Sequence, residues 1–269
     1  MVTRSHPDGC IVGLLGLLVL AVCTSSVHAT HSWGGYHWAR TANPFPLTLG
    51  NNLSDAWYQY LAQASAAWST SSVLDTTIEA GGTTPRSCRP TGGRVEVCNS
   101  RYGNTGWLGV AQIWVSDSHI LQGVVKMNDT YFRTPTYNTA TWRTFVMCQE
   151  VGHTLGLDHQ DEDVTNGNLG TCMDYTNDPD GELYNQLSNE QPNAHDYEEL
   201  DLIYEHLDST ATLGAPLASR MPPAMADIDF TTPAQWGKRV ASRHHGKVEV
   251  YALDFSGGYK VFTFVVWAE

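Results

Sequence analysis

Basic side chains are scarce in this chain, and over one long stretch they are absent. From Glu150 to Thr210 there are sixteen Asp and Glu residues and no Lys or Arg. With a net charge of −13 and no basic run, the chain is a poor partner for nucleic acid or an anionic membrane surface. Close C-x-x-C pairs are missing too, which excludes a cysteine-built zinc site. Beyond the first thirty residues no apolar run is long enough to span a bilayer, so no stable membrane anchor is expected. Internal repeats and coiled-coil heptads are also lacking.

What is present begins with Arg4, an apolar run from Ile11 to Val22, and then VHAT. That order reads as a secretory signal peptide over residues 1–29, cleaved after Ala29, and places the protein outside the cell. Cleavage removes Arg4 and Asp8, one charge of each sign, so the mature chain keeps −13. About 240 residues remain, enough for one sizeable core with an appendage. The mature chain holds Cys88, Cys98, Cys148 and Cys172, an even number that suits an oxidising compartment and allows three pairings.

PFPLTLGNN, from Pro44 to Asn52, reads as a strand leading into a helix. Ser54 or Asp55 can cap that helix, and Trp57, Tyr60, Leu61, Ala64 and Trp68 recur near its period. SSVLDTTIEAG reads as a second strand, and GGTTPRSCRPTGGRVEVCNSRYG as a turn-rich, disulfide-tied loop or hairpin. WLGVAQIWVS and ILQGVVKMND have strand composition, and a helix should start near Thr141. A long acidic loop with GTCMDYTNDPDGE follows, then a helix from about Ala194 to Leu207. The stretch TATLGAPLASRMPPAMAD reads as a linker, and KVEVYALDF and YKVFTFVVWA as a hairpin joined by SGG. The order of elements argues for an α+β fold with a mixed sheet. The boundaries drawn are 30–212 for the main domain and 213–269 for the linker and hairpin.

CQEVGHTLGLDH carries the chemistry. Positions four apart on a helix lie one above the other, so Gln149 and His153 share a face with Glu150 beside them. Gly156 allows a sharp turn that returns His159 towards that face. Two imidazoles, one more donor and a water make a tetrahedral zinc site, with Glu150 placed to take a proton from the water. Glutamine stands where a third imidazole would be the stronger donor. Three outcomes are open: Gln149 ligates through its amide oxygen, Tyr175 or water completes a two-histidine site, or metal binding is lost. Of the other histidines, His119 alone is a candidate replacement ligand.

The stretch resembles the zinc helix of the metzincin metallopeptidases, the group that contains astacins, serralysins and matrixins. The likeness is strongest from Thr141 to Tyr175, looser from Pro44 to Leu207, and does not extend to 213–269. It implies a twisted mixed sheet, an active-site helix and a C-terminal helix, with Gln149, His153 and His159 in the ligand positions and Glu150 as general base. Met173 in TCMDY then matches the methionine turn beneath the metal, and Tyr175 the tyrosine that steadies the transition state. The resemblance also favours Cys148–Cys172, and with it Cys88–Cys98, because Cys148 precedes Gln149 and Cys172 precedes Met173.

The function expected is therefore a secreted zinc endopeptidase acting on protein or peptide substrates. The alternative is an inactive relative that binds peptides or proteins. The resemblance lays the substrate along an edge strand, for which Ile120 to Asp129 is the candidate. The short segment from Thr30 to Asn43 leaves no room for a bulky pro-domain, though His31, His37 or its backbone could cover the site. The acidic loops DEDVTNGN and NDPDGE suggest either Ca2+ as a second ion or a preference for basic peptides; a merely solvated acidic surface is the plainer reading.

Overall fold

The computed structural model describes residues 31–161, 163–214, 221–225, 230–243 and 248–268. The signal-peptide segment, much of the linker, Glu162 and the His244-His245 pair lie outside them. The described chain is a mixed α+β structure: nine strands in one sheet and three α-helices.

The chain starts with a two-residue strand, β1 (His37–Trp38), and then β2 (Phe45–Asn52). In β2 the apolar Phe45, Leu47 and Leu49 alternate inward, the period-two pattern of a strand with one face on a core. α1 (Asp55–Trp68) buries Trp57, Tyr60, Leu61, Ala64 and Trp68, the face its apolar spacing marks. β3 (Leu74–Ala80), β4 (Val95–Ser100), β5 (Trp107–Ser116) and β6 (His119–Asn128) follow. α2 (Ala140–Thr154) and α3 (Ala194–Ile203) come next. Last are β7 (Lys238–Arg243), β8 (Val248–Asp254) and β9 (Tyr259–Trp267).

The sheet runs β3-β2-β4-β6-β5-β9-β8-β7, with β1 paired beside the start of β6. β2 runs parallel to β3 and β4, and β4 parallel to β6; from β6 through β5, β9 and β8 to β7 every pairing is antiparallel. Apolar residues from all three helices lie in one core cluster with one face of the sheet. The other face is covered by Met225, Phe230 and Trp236, which pack on Trp107, Trp114 and Val124. Coverage on both faces explains why β5 and β6 are buried along almost their whole lengths.

Four expectations need correction. Residues 95–100, expected within a loop or hairpin, form the parallel strand β4 between β2 and β6; their flanking glycines had hidden a short buried strand. Ile120 to Asp129 does not offer an open edge. β6 lies between β4 and β5, with both of its hydrogen-bonding sides in use. The last helix stops at Ile203 rather than near Leu207. The tail also adds β7, which its charged sequence KRVASR did not announce, and β9 joins it to the main sheet through β5.

Two disulfides close the described cysteines: Cys88–Cys98 and Cys148–Cys172, each with Cα atoms 5.9 Å apart. Such bonds suit an oxidising compartment. Among the described residues no helix is long and apolar enough to cross a membrane.

Candidate metal centre

α2 begins where the Thr139 side chain accepts the Trp142 N–H, a cap for an otherwise unpaired donor. It stops at Thr154, and the chain turns at Gly156, whose φ of +99° suits glycine. A Cβ there would also meet the Tyr36 carbonyl oxygen at 2.2 Å, so the turn is required both by conformation and by space. Beneath the helix, a Cβ at Gly152 would strike Met173 Sδ at 2.5 Å. The Cys148–Cys172 disulfide ties the helix to the segment carrying that methionine.

The turn brings His159 back onto His153. Their Nε2 atoms are 3.2 Å apart, and both rings are buried. His153 Nδ1 lies 2.9 Å from the Leu157 carbonyl and must donate to it, which leaves Nε2 with its lone pair. Burial, then the neighbouring His159, hold the His153 pKa well below the ordinary value, with the Leu157 carbonyl pulling the other way. His159 has Nδ1 3.6 Å from Asp158 Oδ1.

Gln149 and Glu150 are fully buried. Neither Gln149 amide atom has a hydrogen-bond partner, and neither Glu150 oxygen has one at normal geometry. Burial raises the Glu150 pKa well above the carboxylate range, and only the Ala111 backbone N–H works against it. β5 presses close: a Cβ at Gly109 would fall 2.5 Å from Glu150 Oε1. Orphaned buried polar atoms cost about 1–3 kcal/mol each, more when charged, so the unpaired Gln149 and Glu150 atoms on this helix leave room for an ion or ordered water as partner. Two imidazole nitrogens and an amide oxygen are donors that suit zinc.

Tyr175 stands at the rim of this group, its ring centroid 6.0 Å from that of His159. Its hydroxyl oxygen accepts the Trp267 backbone N–H at 3.2 Å. Trp267 belongs to β9, which pairs with β5 from Trp107 to Ser116 and sets Phe264 opposite Ala111. The Phe264 ring stacks on His153 with centroids 4.6 Å apart and planes 9° from parallel. The tail therefore roofs the site. Sequence reasoning missed this roof, since VFTFVV reads as any buried strand.

The remaining histidines go elsewhere. His31 hydrogen-bonds Asp196 and stacks on His195. His119, the candidate replacement ligand, meets Asp208 instead, together with His37 and His206. In the acidic loops the carboxylates serve backbone turns: Asp161 accepts from Asp163 N and Asn166 Nδ2, Asp163 from Thr165, and Asp178 from Leu183 N and Tyr184 N. Among the described residues neither loop gathers three ligand groups for calcium.

No protein-family model matches the sequence, and no curated protein does. Among solved structures the chain is similar to High choriolytic enzyme 1, a hatching enzyme zinc-protease from Oryzias latipes, the medaka fish. The identity is 11% and the TM-score 0.36, over 64% of this chain and 96% of that one.

Proposed function

We propose that the chain is a secreted zinc-dependent endopeptidase with a metzincin-like fold, seen here in a closed form. One observation carries the reading: the imidazoles of His153 and His159 converge, and on the same helix the buried Gln149 amide and Glu150 carboxylate have no side-chain hydrogen-bond partner. His153, His159 and the Gln149 oxygen would hold zinc. Bound there, zinc would supply Lewis acidity towards a water and a peptide carbonyl. Glu150 takes a proton from the attacking water and returns it to the leaving amine. Glu150 is fully buried with no side-chain hydrogen bond to compete for its oxygens. Tyr175, once parted from Trp267, donates its hydroxyl to the developing oxyanion.

With β6 interior, the strand beside the site is β5, and a substrate peptide would pair there as an added strand. β9 already fills that place. Turnover therefore requires the tail to leave, and a cut in the linker TATLGAPLASRMPPAMAD would separate it from the rest of the chain.

The roof also favours a second reading, a protein that keeps the groove but performs no hydrolysis. Zinc content and chelator-sensitive cleavage of casein or gelatin separate the two. The assay should be run on the mature chain before and after the linker is cut at an engineered protease site. Hydrolysis that appears on cutting and disappears in Glu150→Ala supports the peptidase. A zinc-loaded, tail-released protein that cleaves nothing would leave only the binding role.

A further inference from the structure

A second group of histidines lies outside the centre described above. His37 (β1), His119 (the first residue of β6) and His206 (after α3) surround one oxygen of Asp208. Their Nε2 atoms lie 3.5, 3.1 and 3.6 Å from Asp208 Oδ1. Nitrogen and oxygen ligands about 2.0–2.1 Å from a tetrahedral zinc are about 3.3–3.4 Å from one another. The three distances bracket that edge length. Ligand atoms of His37, His206 and Asp208 all lie within 4.8 Å of each other.

Hydrogen bonding shows why a cation is wanted here. His37 Nδ1 is 2.8 Å from the Gly35 carbonyl, which only a ring N–H can satisfy. In the neutral ring, Nε2 then turns a lone pair towards a carboxylate oxygen, an arrangement that repels unless a positive charge sits between them. The same back-bond to a carbonyl is what orients metal-binding imidazoles generally. Asp208 is oriented as well. Its other oxygen, Oδ2, accepts from the Arg40 backbone N–H at 3.1 Å and from the Arg40 guanidinium at 3.0 Å, which leaves Oδ1 for the imidazoles. The buried guanidinium also holds the Tyr204 and His206 carbonyls, fixing the backbone that carries His206.

We infer that His37, His206 and Asp208, with His119 beside them on the same carboxylate oxygen, form a structural site for a divalent cation, zinc by its donor set. Two imidazoles and a carboxylate are donors that suit zinc, and His119 Nε2 stands 3.1 Å from the same Asp208 oxygen. The ion would clip the N-terminal strap to the sheet and to the segment after α3. His119 and His206 are 35% and 52% exposed, so zinc can reach the cluster from solvent.

The inference does not depend on the proposed peptidase, and the test keeps them apart. The full mature protein is stripped with a chelator, reloaded with Zn2+ and counted by native mass spectrometry, alongside a His119→Ala/His206→Ala variant and a His153→Ala variant. The double variant removes two exposed side chains and should fold. It is expected to hold one zinc fewer than the parent, to bind that equivalent at least about tenfold more weakly, and to lose part of the zinc-induced rise in Tm. His153→Ala should keep the rim equivalent. If the double variant matches the parent in zinc count and in Tm response, Asp208 is only a hydrogen-bond hub and the inference fails.

Discussion

The two histidine groups of this protein are built in opposite ways. At the deep centre, Gln149, Glu150, His153 and His159 come from one helix and the turn that follows it; all are buried, and Phe264 of β9 lies on His153. At the rim, His37, His119, His206 and Asp208 come from three distant segments, and His206 is half exposed. The deep group has a carboxylate with no side-chain partner, while Asp208 is crowded with them. A buried acid without a side-chain partner is costly to folding and useful to chemistry. A fully engaged one orders its surroundings. The difference separates a site suited to moving protons from one suited to holding chain segments together.

The most severe test of that contrast is Glu150→Ala. Turnover in the tail-released protein should fall about 10²–10⁴-fold, the scale of general-base catalysis, with zinc still bound. His153→Ala or His159→Ala should lose deep-site zinc as well as turnover. Near-normal hydrolysis by Glu150→Ala, measured with a quenched peptide, would remove the chemical role from the deep site. Phe264→Ala comes next. Losing a buried aromatic costs about 3–5 kcal/mol, so Tm should drop and the uncut chain should gain peptidase activity as β9 loosens over His153. Hydrogen exchange would show the β9 amides losing protection. If exchange at β9 rises while hydrolysis stays absent, the roof is not what withholds activity.

Gln149→His should tighten deep-site zinc by at least roughly tenfold, the scale on which even outer partners move such affinities. Competition against a graded chelator measures it, and an unchanged affinity would show that residue 149 is not a ligand. Asp174 offers a pH test between the two groups. Burial raises its pKa to about 6, with Asp161 adding to the rise, while the Leu169 N–H, the Asn189 amide and the nearby His159 lower it. Because the folded value lies above the ordinary one, the native state favours the protonated acid. That stabilisation is complete below about pH 4 and is lost as pH rises through 6. Asp174→Asn, which mimics the protonated form, should therefore raise Tm by a few degrees at pH 8 and change little at pH 4; equal shifts at both pH values would contradict this. Smallest of all is a preference for Lys or Arg beside the cut. Many of the acids between Glu150 and Thr210 are occupied in turns and caps, so only a few-fold advantage is expected. It should fade towards 0.15 M salt, where the Debye length is about 8 Å. A neutral or acid-preferring peptide profile at low salt would exclude it.

Much of the deep centre could be read from the residue order because its geometry is local. Helical spacing sets Gln149 under His153, and a glycine with positive φ returns His159. α1 was legible for the same reason, its five large or small apolar residues falling at one face. β4 was not, because VEVCNS is short and framed by turn formers. The edge assigned to residues 120–129 failed for a different reason. Which side of a strand stays open depends on what pairs with it, and nothing in ILQGVVKMND records that β4 and β5 flank it.

By itself the sequence determined the periodic elements, the candidate ligand helix, the oxidising setting implied by paired cysteines and the acidic character of the second half. These rest on spacing, composition and charge, which act over a few residues or over the chain as a whole. Tertiary structure alone decided that β9 covers the deep site, that Phe264 lies on His153, and that Asp208 gathers three histidines from across the chain. The β5–β9 pairing, the His153–Phe264 stack and the His37–Asp208 contact each join residues more than a hundred positions apart. Their physical cause is the burial of apolar faces and the pairing of sheet edges, which bring distant segments together without leaving a local pattern in either.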